Sequence, residues 1–139
     1  FQVVAVTDHW KTNDLAGRSD DAFLAISGME MHPKTGTGAP DHHFVVLDLP
    51  HPLALDKKQP AQEMIDAVKR AGGMVIYAHP HWTAHTLLEM EEVGGYVAME
   101  VYNTLSFDCQ RPLPRETCVL PTVVAITSCV ARACCLYAK

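Results

Sequence analysis

The stretch "AGGMVIYAHPHW", residues 71–82, runs apolar up to Ala78 and then delivers His79, Pro80, His81 and Trp82. An apolar strand that ends on imidazoles must satisfy them with hydrogen bonds or with a metal ion, because a buried polar ring without a partner is costly. Other donors stand in comparable places. Asp8 and His9 close the run "FQVVAVTDH", Glu30 and His32 close "FLAISGMEMH", His42 and His43 open "HHFVVLDLP", and Glu100 and Asn103 close "YVAMEVYN". Imidazole with carboxylate is the donor set of Zn²⁺, Mn²⁺ or Fe²⁺, and sulfur is missing from this part of the chain. His81 shares the face of His79 only if the extended backbone continues past Pro80. His32 and His42 are balanced between ligand and ordinary polar residue. His51 and His85, flanked by loop or helix-start residues, read as solvated histidines.

The elements that must hold these groups are legible as alternating apolar runs and breakers. Five strands are expected near residues 1–9, 23–31, 43–50, 74–78 and 96–103. Pro60 suits a first helical turn, Ala61, Met64, Ile65, Val68 and Ala71 recur at helical spacing, and Gly72-Gly73 ends the pattern. A short acidic helix is expected in "HTLLEMEEV", with Glu89, Glu91 and Glu92 as a solvated face. Strands separated by helices or long connections predict parallel β/α units, in which ligands gather at the carboxyl ends of the strands. The methionines read as core filler. Neither a phosphate loop nor a nucleophile elbow is present.

Composition narrows the field. The chain has 139 residues, 48% of them apolar, and a formal charge of −5, which suits one domain and argues against nucleic acid as the main partner. No apolar run reaches the roughly 20 residues of a membrane span, and no signal peptide is visible, which predicts a cytoplasmic protein. The chain opens inside a strand without an initiator Met and so reads as part of something longer. All eight His lie between His9 and His85, and all five Cys between Cys109 and Cys135. The break near residue 104 divides the chain into a metal-site core, 1–103, and a Cys-containing tail, 104–139. The tail has three readings: a divergent end with "PTVVAITSCVARACCLYA" as an apolar helix, a thiolate site without the usual CxxC spacing, or a shifted reading frame. The composition break favours the last.

The blocks "VVAVTDH", "GMEMH", "HFVVLDL", "AGGMVIYAHPHW" and "AMEVYN", in this order over residues 1–103, resemble the PHP (polymerase and histidinol phosphatase) domain. The resemblance implies an α/β fold, a partial distorted (β/α)7 barrel with parallel strands, of the TIM-like kind. It implies two or three divalent metal ions at the strand ends and hydrolysis of phosphate esters, with a small phosphate ester or a nucleotide as substrate. Carried over by motif, His9, Glu30, His43 and His79 are metal ligands, Glu30 is a bridge between ions, and His42 is the fallback for His43. Asp8 orients an imidazole, and Glu100 and Asn103 support the site. His81 is the candidate proton donor or phosphate contact. The family's opening HxH and closing DxH motifs are absent from this sequence. The alternative is therefore a non-catalytic degenerate module that binds metal or a partner protein.

Overall fold

The computed structural model describes residues 2–35, 38, 40–49, 52–100, 126–129 and 133–136. Strands β1 (Val3–Val6), β2 (Leu24–Met31), β3 (Phe44–Leu47), β4 (Met74–Tyr77), β5 (Ala98–Met99), β6 (Ile126–Cys129) and β7 (Ala133–Leu136) form one sheet in the order β5-β4-β3-β2-β1-β7-β6. Two helices accompany it, α1 (Ala61–Arg70) and the single-turn α2 (Leu87–Glu91). None of the described helices is long and apolar enough to cross a membrane.

The expected barrel of parallel strands is not what the chain builds. The pairs β1–β2 and β4–β5 are parallel, but β2–β3 and β3–β4 are antiparallel, and the sheet is open, with β5 and β6 at its edges. Neither a (β/α)7 barrel nor a TIM-like barrel describes it. The reason lies in the connections. Between β3 and β4 the chain carries α1. Met74 starts beside Leu47, where β3 ended, so the connection as a whole returns the chain to the end of the sheet that it left. Parallel strands need a crossover that carries the chain back to the end where the previous strand began.

Helix α1 is placed by its sequence. Pro60 (φ −56°) leads in, Glu63 lies in the first turn and Lys69 and Arg70 in the last, matching the helix dipole. Gly72 takes φ +88°, and Gly73 N–H closes the end by donating to the Val68 carbonyl at 3.0 Å. The buried stripe Ala61, Met64, Ile65 and Val68 packs on one sheet face with Met29, Met31, Phe44, Val46, Val75, Tyr77 and Met99. The opposite face carries the smaller cluster Ala5, Val45, Leu47, Ile76, Ala78 and Ala98. All four residues of β3 are therefore buried, which explains its unbroken apolar "FVVL". In the tail, where one reading expects a helix, β6 and β7 pair antiparallel, and β7 pairs with β1.

Candidate metal centre

The mixed strand directions bring the donors to one edge of the sheet. Strands β1, β2, β4 and β5 all end there, and β3, running the other way, begins there. His43, which precedes β3, thus lies beside Glu30 near the end of β2 and His79 just after β4. His9 continues β1 by a parallel bridge to Glu30. Pleat alternation then sorts the faces. Met29 and Met31 point to α1, so Glu30 between them faces the other way, with His32. Phe44 points to α1 and Val45 away, so His43 joins Glu30 while His42 turns into the core.

Glu30 is the hub. Its Oε1 lies 3.1 Å from His32 Nε2, 3.3 Å from His43 Nδ1 and 3.6 Å from His79 Nε2. His9 Nδ1 is 2.8 Å from His32 Nε2, and His79 Nε2 is 2.8 Å from His43 Nδ1. Two donor groups result, His9–Glu30–His32 and Glu30–His43–His79, each with its ligand atoms within 4.8 Å of one another. A tetrahedral cation with bonds of about 2.0–2.1 Å holds its donors roughly 3.4 Å apart, so the Glu30–His43–His79 atoms, separated by 2.8, 3.3 and 3.6 Å, need only sub-ångström shifts to accept one. The donor chemistry fits Zn²⁺, Mn²⁺ or Fe²⁺. Burial alone would raise the Glu30 carboxyl, but hydrogen bonds with His32 and His43 and the charges of His79 and His9 outweigh it and hold it well below the usual carboxylate range. His43 is pushed down, first by burial and further by His32 and His79, against the opposing hydrogen bond to Glu30. Both effects favour the deprotonated forms that ligate metal.

His79 owes its position to an unusual backbone. Its φ is +29°, and its carbonyl accepts from Trp82 N–H at 2.9 Å, so the chain leaves the strand in a turn. Such a conformation is uncommon for a residue with a Cβ, and it breaks the pleat alternation that would have aimed His79 at α1. Glu100 Oε2 accepts from the His79 backbone N–H at 2.8 Å and lies 3.2 Å from its Nδ1. Trp10, the residue after His9, is also at positive φ. Trp82 is 58% exposed, with its ring 5.1 Å from that of His79, and Trp10 lies 6.1 Å from His32.

The structure thus brings together His9, Glu30, His43 and His79 from the expected set. It adds His32, whose spacing from Glu30 on a strand, i and i+2, already places both on one face. Asp8 contributes its backbone: its carbonyl accepts from Glu30 N–H at 3.0 Å, tying β1 to β2. Among the described residues, no hydrogen bond joins its carboxylate to an imidazole. His81 lies in the turn after Pro80, pushed down by burial, with no hydrogen bond to the cluster among the described residues. The extended geometry needed for it to share the face of His79 does not occur.

His85, expected to be solvated, is 4% exposed. It belongs to a buried chain behind the cluster: His42 Nδ1–Tyr77 OH at 2.7 Å, Tyr77 OH–His85 Nδ1 at 2.8 Å, and His85 Nε2–Pro40 carbonyl at 2.8 Å. Its backbone N–H donates to the Pro80 carbonyl at 2.9 Å, in the turn that follows His79. His51 and Asn103 lie outside the described residues. No protein-family model matches the chain, and no curated protein matches it either.

Proposed function

We propose that this protein binds divalent cations through His9, Glu30, His32, His43 and His79 and hydrolyses phosphate esters, as the resemblance to PHP domains implies. The observation that carries the reading is the single carboxylate oxygen of Glu30 facing three imidazoles, so that one residue belongs to two donor groups. Glu30 is then the natural bridge between two ions, and its hydrogen-bonded anion needs no deprotonation to serve. A divalent cation supplies Lewis acidity toward a phosphoryl oxygen and lowers the pKa of water toward neutrality. The residues around it hold the site's shape: the turn at His79 fixes one imidazole, the β1–β2 bridge fixes His9, and the pleat fixes His32 and His43. His81, two residues after His79, is the candidate proton donor to a leaving oxygen or phosphate contact, with Asp8 supporting the His9 strand end. A small phosphate monoester or a nucleotide fits the reading.

The test is metal content of the purified chain by plasma mass spectrometry, beside His79→Ala and Glu30→Gln, with hydrolysis of p-nitrophenyl phosphate before and after chelation. Bound zinc, manganese or iron that falls in both variants, with chelator-sensitive turnover, supports the reading. Retained metal without turnover leaves a metal-binding module. No metal at all refutes the reading.

A further inference from the structure

The proton positions in the cluster can be worked out from the hydrogen bonds, and they single out Glu100. Its side chain is 4% exposed, at the carboxyl end of β5. Oε2 already accepts the His79 backbone N–H at 2.8 Å, so it is the acceptor toward His79 Nδ1 at 3.2 Å as well. His79 therefore carries its hydrogen on Nδ1, and its Nε2 is a bare lone pair. That lone pair lies 2.8 Å from His43 Nδ1, which must then be the donor, sharing its hydrogen with Glu30 Oε1 at 3.3 Å.

We infer that Glu100 is the positioning residue of the centre: it fixes both the left-handed backbone of His79 and the tautomer that turns Nε2 toward the cation. This rests on the metal reading above and adds what prepares the site before a cation arrives. One consequence is specific. Were Glu30, His43 and His79 to hold a cation, the His79 hydrogen would stay on Nδ1 and that of His43 would have to sit on Nε2 instead of Nδ1. A carboxylate behind a ligating imidazole also raises its basicity, and loss of such a partner typically weakens metal binding 10–100-fold. The other oxygen, Oε1, is buried with no hydrogen-bond partner among the described residues. Glu100→Gln can therefore place its amide nitrogen there while keeping an oxygen toward His79, and it serves as the conservative rescue.

The experiment reads imidazole tautomers by long-range ¹H–¹⁵N correlation of the ¹⁵N-labelled full chain near pH 8, metal-free and with Zn²⁺, together with Zn²⁺ affinity by chelator competition. In the metal-free protein, His79 and His43 should both be Nδ1–H, and on adding Zn²⁺ only His43 should switch. Glu100→Ala should release His79 to the Nε2–H form and lower Zn²⁺ affinity 10–100-fold, and Glu100→Gln should keep the tautomer and most of the affinity. An Nε2–H His79 in the unsubstituted protein overturns the proposal without any variant. So does a folded Glu100→Ala with unchanged tautomer and affinity. An Nδ1–H His79 in a protein that binds no Zn²⁺ supports the proton assignment and refutes the metal reading on which its purpose depends.

Discussion

Replacing Tyr77 by Phe isolates the buried chain from the metal cluster. The hydroxyl lies on a residue with no exposed surface and meets two imidazole nitrogens, His42 Nδ1 at 2.7 Å and His85 Nδ1 at 2.8 Å. The direction of its hydrogen follows from the far end. The Pro40 carbonyl can only accept, so His85 holds its hydrogen on Nε2, its Nδ1 receives the Tyr77 hydrogen, and Tyr77 in turn receives that of His42 Nδ1. In Tyr77→Phe the shape is kept. His85 Nδ1 can then take the Thr83 hydroxyl hydrogen at 3.0 Å by drawing it from the Pro80 carbonyl, also at 3.0 Å, but His42 Nδ1–H is stranded in a core position that is 2% exposed. One net hydrogen bond is worth about 1 kcal/mol, and a stranded buried donor costs about 1–3 kcal/mol, so the loss should be about 2–4 kcal/mol. For a domain of this size that lowers Tm by on the order of 10 °C. Urea unfolding in the presence of a chelator measures it, and metal content of the folded variant should be unchanged. A variant within about 0.5 kcal/mol of the parent would refute the proton map, because the hydroxyl would then not be holding His42.

Three further expectations concern acid, packing and metal occupancy. Burial, with the neighbouring His85, pushes His42 down to about 4 from 6.5; the folded form binds fewer protons than the unfolded chain between these values, so this contribution is complete above pH 6.5 and lost as pH falls toward 4. At about 1.36 kcal/mol per pH unit it reaches at most about 3 kcal/mol. The lowered His43 and Glu30 act in the same sense, Glu30 only below its usual value of 4.5, so the chelated protein should unfold on the acid side by circular dichroism, and acid stability equal to that at neutral pH would contradict it. Gly28→Ala would put a Cβ 2.5 Å from the Val46 carbonyl oxygen and 2.9 Å from Thr7 Cγ2, prising β3 from β2 two residues before Glu30; a loss of about 3 kcal/mol and weaker metal binding are expected in the same unfolding and competition assays. The two indoles should report the two donor groups separately on titration with Co²⁺, Trp82 beside His79 and Trp10 beside His32; if Trp10→Phe and Trp82→Phe show one identical quenching curve, a single ion occupies the cluster.

What could be read from sequence here is chemistry and local structure, and what could not be read is direction. The apolar stripe of α1, its Pro60 start and Gly72-Gly73 stop, and the apolar runs of β3 and β4 are legible in the sequence. So are the donors at the strand ends. The parallel barrel fails because β3 runs antiparallel to both of its neighbours, and no periodicity records strand direction. In a parallel sheet a ligand at the start of a strand would lie at the opposite end from the other donors, whereas in this mixed sheet the start of β3 lies where β2 and β4 end.

His42 and His43 show the limit more finely. The two rings are neighbours in sequence and identical in type, yet one closes a buried chain on Tyr77 and the other meets Glu30. Pleat parity separates them, and parity was available from the sequence once Phe44 was assigned to the core. His85 was not recoverable in that way. Its burial depends on the left-handed turn at His79, a conformation that nothing in "AHPHW" demands and that the grip of Glu100 on the His79 N–H sustains. The residue that fixes the metal-facing imidazole is thus also the one that folds His85 under cover, so the cluster and the buried chain behind it should loosen together in Glu100→Ala. Hydrogen exchange of the Trp82, Thr83 and His85 amides, which donate to the His79 and Pro80 carbonyls, would show that coupling as joint loss of protection, and retention of protection in the variant would show that the turn stands without Glu100.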